Sequence, residues 1–215
     1  MSYIAERRVE EKERRRAEIV DAAEKLYLEK GWDSVTMDQV AKGARLSRAL
    51  LYVYFRDRDE LQFAIGERAL AMLRQRFLGA VAEHARGLDQ VEAIGRAYMQ
   101  YAKDFPHYFD VCARFQAHAM SADPGSNEDA CAVAGDAAIS VVVEAIRVGI
   151  ADGSIRSDIG NPLLFAVTLW AFTHGVIQLA MAKGADLTRL GIPIPDFGEY
   201  ALSLLRSVGA PRPAG

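Results

Sequence analysis

Apolar residues recur along the chain at spacings of three and four, and alternation at two is nearly absent, which predicts an all-α protein. The first helix is expected to carry Ile19, Ala22, Ala23, Leu26 and Tyr27 on one face. It should stop at Lys30-Gly31, a basic residue followed by a glycine cap. Thr36-Met37-Asp38-Gln39 has the form of a capping box, with Val35 and Val40 spaced as its hydrophobic staple, so a short second helix is expected from Met37. Ser47 can cap a third short helix, with Leu46 and Leu51 as its staple and an end near Phe55. Asp57 and Glu60 repeat the signature and open a long fourth helix through Leu61, Ile65, Met72 and Leu73.

Beyond Gly87, helices are expected at about 89–105, 106–120, 129–151, 162–183 and 197–207, with a surface loop from Ser121 to Asp129. Asp152-Gly153 reads as a stop and turn, and Asn161-Pro162 as an N-cap with proline at the first helical position. No linker rich in Gly, Pro or Ser interrupts the start of the fourth helix. The expected organisation is a domain over 1–60, a larger helical domain over 61–209 joined to it by that continuous helix, and a frayed tail over 210–215.

Two short helices joined by a tight turn, with a longer helix covering their apolar side, are the parts of a DNA-binding helix-turn-helix. The net charge of −3 speaks against a nucleic-acid partner until its distribution is read. Between Lys42 and Arg58, five cations stand against the single acid Asp57, which is a basic face of the size a DNA reader needs. The second short helix would enter the major groove with Ser47, Arg48, Ala49 and Leu50 leading and Val53 and Tyr54 one turn later. Thr36 and Ser47 sit at helix N-termini, where exposed amides favour phosphate. Tyr52, Tyr54 and Arg58 are expected to donate to phosphate oxygens, Arg48 to read a guanine edge, and Ala49, Leu50 and Val53 to meet thymine methyls. Leu51 and Phe55 are assigned to the core. Arg14, Arg15 and Arg16 stand between a solvated helix extension and an arm that touches DNA.

The stretch from Arg14 to Leu61 resembles the tetracycline-repressor (TetR) family of transcriptional regulators. Its strongest pieces are Ile19-Val20-Asp21-Ala22-Ala23, Gly31 followed by Val35 to Ala41, Leu46-Ser47 through Leu51 to Phe55, and Glu60-Leu61. Arg45 and Ala49 stand where that family usually has Gly, and Arg58 where it often has Lys, so the turn must hold a residue with a side chain. The resemblance implies a cytoplasmic, ligand-responsive regulator, a repressor that binds palindromic double-stranded operator DNA as a homodimer and is released by a small effector. It also points to segments 129–151 and 162–183 pairing with their symmetry mates as the dimer interface. Ala134, Ala137 and Ala138, with Val141 to Val143, would allow close approach there, so a charge at Val142 is expected to give monomers.

Leu169 to Val176 resembles a Trp-His-Gly stretch in the ligand domains of some of these regulators. Aromatic groups are numerous in the second half, and Tyr98, Tyr101, Phe109, Cys112, Phe115, Trp170 and His174 are the candidate lining of a pocket for an apolar or aromatic effector. The bland alternative is that these groups are core and the protein represses constitutively. An enzyme is the remaining alternative, and His84, His107, His118 and His174 form no HExxH, Gly-x-Ser-x-Gly or phosphate-loop motif; no catalytic residue, metal or cofactor is expected. Cys112 and Cys131 fit neither a disulfide framework nor a metal pair and are expected to be buried thiols. The charged N-terminus is no secretory signal, and no apolar run is expected to reach membrane-spanning length, so no membrane partner is expected.

Overall fold

The computed structural model describes residues 3–115 and 123–211, without the side chains of Ile4 and Phe115. Among the described residues the chain forms only helices. They are α1 (Tyr3–Lys30), α2 (Met37–Gly43), α3 (Arg48–Tyr54), α4 (Arg58–Ala82), α5 (Gly87–Asp104), α6 (Pro106–Phe115), α7 (Asn127–Ala151), α8 (Pro162–Arg189) and α9 (Ile194–Gly209). Two 3-10 turns, Trp32–Ser34 and Ser157–Ile159, were not foreseen in the sequence.

The starts and stops follow the local signals. Gly31 leaves α1 with φ 77°, a value glycine adopts without penalty. The capping box at α2 is complete in both directions, Thr36 accepting from the Gln39 amide and the Gln39 side chain from the Thr36 amide. Ser47 accepts from the Leu50 amide at α3. At α4 Asp57 accepts from the Glu60 amide at 2.9 Å, but the Glu60 carboxylate reaches one residue further back, to the Arg56 amide at 2.8 Å. The helix expected to end at Lys183 does break there, at φ −127°, and then resumes to Arg189. The expected extent of α6 beyond Phe115, the start of the loop at Ser121, and residues 212–215 of the tail lie outside the described residues.

The chain forms two compact units, each made of two stretches: residues 1–69 with 107–133, and residues 70–106 with 134–215. A single cut at residue 60 would place α6 with the second unit. It folds with the first, where polar side chains tie it to α1 and to the 3-10 turn Trp32–Ser34. The Tyr27 hydroxyl donates to Asp110 at 2.5 Å and to the His107 carbonyl at 3.2 Å, Tyr108 donates to Glu24 at 2.9 Å, and Arg114 reaches Asp33 at 3.4 Å. Burial and these carboxylate partners push both phenols up, Tyr108 to about 12, so they remain neutral donors throughout the physiological range. The apolar heart of this unit is Ile19, Val20, Val40, Leu51, Phe55 and Leu61, each almost fully buried. Cys131 is buried and Cys112 half-buried, both are free, and burial raises both thiols to about 12, leaving them protonated.

In the second unit α8 and α9 pack on each other and on α5. Small residues of α7 admit α5 at very short range, Gly87 lying against Gly149. Val142 and Ile146 of α7 are buried within the single chain. For α7, the expectation that Val142 forms dimer surface is therefore corrected. Its small residues serve close packing inside the protomer, and a charge at Val142 would disrupt that core. Exposed apolar surface lies instead on α8, at Leu164, Val167, Phe172 and Leu179, and on α9, at Tyr200, Leu204 and Val208. The absence of a membrane-length run is corrected as well, since α8 is long and apolar enough to qualify by length and composition.

Candidate nucleic-acid interface and effector site

The geometry of the first unit separates the side chains of α3 cleanly by burial. Leu51 and Phe55 are fully buried, as assigned from the sequence, and they anchor the helix in the core of the unit. On the opposite side Ser47, Arg48, Ala49, Leu50, Tyr52 and Val53 are exposed, and Tyr54 is half-buried. Val53, 75% exposed and apolar, gains nothing from that position in the free chain. Because both α2 and α3 begin on side-chain caps, the register of this outward face is set by local hydrogen bonds and not by packing alone.

The turn between α2 and α3 holds Arg45 at φ 56°. It is the one non-glycine residue with positive φ among those described, so a side chain stands in the left-handed region where the sequence comparison expected glycine. The turn closes regardless, through the amide of Leu46 donating to the Ala41 carbonyl at 2.8 Å.

Arg48 is held on two sides. Its Nε lies 3.1 Å from Oδ1 of Asp38 on α2, and Nη1 lies 3.5 Å from Oδ2 of the same carboxylate. Its guanidinium carbon sits 5.6 Å above the ring of Tyr52, one turn further along α3. Tyr52, then Asp38, hold the guanidinium above its ordinary range, so it is always a cation.

Two cationic candidates have partners within the free chain. Arg58 is drawn inward, with Nη1 donating to the carbonyls of Asp33 at 3.4 Å and Val35 at 3.5 Å and the guanidinium 5.9 Å over the Trp32 ring. In the free chain it braces the turn that leads into Thr36 through one nitrogen of the guanidinium. Arg16 likewise bonds Glu67 at 3.0 Å and Asn127 at 2.6 Å and covers Phe55, while Arg14 and Arg15 pair with Glu11 and Glu18 along α1. These ties favour the solvated-extension reading of the arginine run.

The residues expected to line a pocket fall in both units. Phe109, buried, and Cys112 belong to the first, and the Phe115 side chain and His118 lie outside the described residues. Tyr98, Tyr101, Trp170 and His174 belong to the second. There Tyr98 and His174 are buried and joined by a hydrogen bond of 2.7 Å between the phenol oxygen and Nδ1. Phe77 meets Tyr98 edge-on at 6.1 Å. Burial lowers the His174 pKa, so the ring is neutral at physiological pH. Trp170 is 39% exposed on α8, its ring 6.1 Å from that of His174. Among the described residues no group of His, Cys, Asp and Glu side chains is arranged to hold a metal ion.

Among the described residues, helices alone and a capped helix-turn-helix near the N-terminus define the architecture of a helical DNA-binding protein. Residues 19–65 match the model of bacterial regulatory proteins of the tetR family, and residues 91–192 match that of the tetracyclin repressor-like C-terminal domain. The chain belongs to the tetR family of transcriptional regulators. It is 43% identical over 51 residues to the HTH-type transcriptional regulator HbdR of Aromatoleum sp. (strain CIB), a match that spans 24% of this chain and 22% of that protein's length. A protein of unknown function from Rhodococcus sp. RHA1 has the same fold, with a TM-score of 0.74 at 23% identity over 92% of this chain and 95% of that one. Thermus thermophilus FadR, a TetR family transcriptional repressor in complex with lauroyl-CoA, aligns with a TM-score of 0.63 at 20% identity over 93% and 100% of the two chains. These two structural likenesses concern the fold.

Proposed function

We propose that this regulator is a cytoplasmic repressor that binds a two-fold symmetric operator as a homodimer and leaves it when a small apolar or aromatic effector binds. The observation that carries the DNA half is the exposed face of α3, where a cation and apolar side chains stand outward on a capped frame while Leu51 and Phe55 hold the helix from behind. Arg48 is the guanine reader in this proposal, with Leu50 and Val53 against thymine methyls. Arg48→Ala should cost operator binding about 1–3 kcal/mol and affect scrambled DNA of the same length far less, as read by fluorescence anisotropy. An equal loss on both duplexes would show that Arg48 contributes charge and no sequence information.

The dimer is proposed to form through the exposed apolar faces of α8 and α9, which give α8 a soluble role despite its membrane-compatible length. The effector is proposed to enter the second unit near Tyr98 and His174, where a neutral polar pair lies among aromatic rings and can orient a carbonyl or hydroxyl. The acyl-CoA bound by the Thermus FadR supports an apolar chain as one effector class. With lauroyl-CoA and a free aromatic acid as probes, an effector must weaken operator affinity by the same factor by which operator weakens effector affinity, about 5–150-fold. Calorimetry that finds equal affinity of a bound probe for free and DNA-loaded protein would eliminate the switch.

A further inference from the structure

We propose that Asp38 is a positioning residue for Arg48, and that the two side chains act together with Tyr52 as a preset guanine reader that determines operator specificity. This inference rests on the DNA-binding reading given above and adds a residue on α2 that reads no base itself.

The geometry is the starting point. The Asp38 carboxylate lies beside the Arg48 guanidinium, 3.1 Å from Nε and 3.5 Å from Nη1, and the Tyr52 ring lies under its face. An arginine has five N–H donors in a rigid planar fork. With Nε and Nη1 beside Asp38 and one face over Tyr52, both N–H groups of Nη2 and the second N–H of Nη1 remain available to the O6 and N7 acceptors of guanine. Arginine carries a large rotamer entropy, and immobilising it before binding reduces what complex formation must order.

Stability does not account for the pair. Both side chains are mostly solvent-exposed, at 65% and 55%, and an ion pair in that setting adds little to folding. An acid on a surface that must approach phosphates is also unfavourable for affinity in itself. What it does provide is a fixed direction and local neutralisation. A paired Arg48 is a weaker attractor for phosphate at random sites, while its free end can still complete a bidentate contact with a base. The pair therefore lowers binding to wrong sequences more than to the right one, which is how a difference of affinities is built.

The test uses the full-length protein, the strongest duplex recovered by selection from a random library, and a scrambled duplex of equal length and composition. Asp38→Asn keeps the shape and removes the charge. It should leave the melting temperature unchanged, raise affinity for the scrambled duplex, and lower the ratio of selected to scrambled affinity by about fivefold or more, the lower range of one bidentate base contact. Because Asp38 acts through Arg48, adding Asp38→Asn to Arg48→Ala should reduce the ratio no further. An unchanged ratio in Asp38→Asn, or a further reduction of the ratio in the double variant, would overturn the proposal while leaving DNA binding intact. If the unsubstituted protein selects no sequence at all, the DNA-binding reading itself fails and this inference with it.

Discussion

Gly87→Ala should destabilise the protein by about 3 kcal/mol or more and lower its melting temperature by roughly 6–12 °C. Gly87 begins α5, and a Cβ built on it would lie 2.0 Å from the Gly149 amide nitrogen, 2.3 Å from the Gly149 Cα and 2.5 Å from the Ala145 carbonyl oxygen. All three are backbone atoms of α7, so no change of rotamer relieves the overlap and one helix must move away from the other. Hydrogen bonds resist that movement. The Gly87 amide donates to Asp152 at 2.8 Å and the Leu88 amide to Ser154 at 3.0 Å, both in the turn that follows α7. Gly149 is equally confined, since its own Cβ would meet Ile155 at 2.5 Å. The glycine pair is thus steric, with no positive φ involved at either position. A thermal melt within about 2 °C of the unsubstituted protein would mean that the two helices separate at little cost.

What the sequence made legible, and what it hid, divides along the range of the interactions. Thr36, Gln39, Ser47 and Asp57 act within four residues of themselves, so the starts of α2, α3 and α4 could be placed from the sequence. The outward assignment of Arg48 and Val53 and the inward assignment of Leu51 and Phe55 followed from helical periodicity once those starts were known. The Asp38–Arg48 pair was hidden because it depends on the crossing of α2 and α3, and the bracing role of Arg58 because its acceptors lie more than twenty residues away. The placement of α6 with the first unit rests on bonds such as Tyr27–Asp110 and Tyr108–Glu24, which join residues more than eighty positions apart.

The small residues of α7 are ambiguous for another reason. Alanine and glycine permit close approach of any helix, from the same chain or from another, and composition does not distinguish them. A stripe of large apolar residues left in solvent does. Tyr200, Leu204 and Val208 recur at a spacing of four along α9, a pattern that was available in the sequence and was passed over in favour of the richer α7.

Gly175→Glu should therefore convert the protein to a monomer without harming the protomer. Gly175 is exposed on α8, between Phe172 and Leu179, and a Cβ there meets nothing within 4 Å. Within the chain the substitution replaces a poor helix former by a good one, which favours the folded protomer by about 0.5–1 kcal/mol. In the proposed dimer the same carboxylate enters an apolar interface, where an unpaired charge costs several kcal/mol, and two-fold symmetry imposes that cost twice. The dimer dissociation constant should rise by on the order of 10³-fold. Each monomer keeps its helix-turn-helix but engages one half-site, so operator affinity should fall by a comparable factor toward the level of unspecific DNA. Sedimentation would report the mass, circular dichroism the intact helices, and anisotropy the lost operator complex. A Gly175→Glu protein that remains dimeric and operator-bound would place the interface on another surface. One that is monomeric yet holds the operator at full strength would break the link between symmetry and recognition, because a single helix-turn-helix would then suffice.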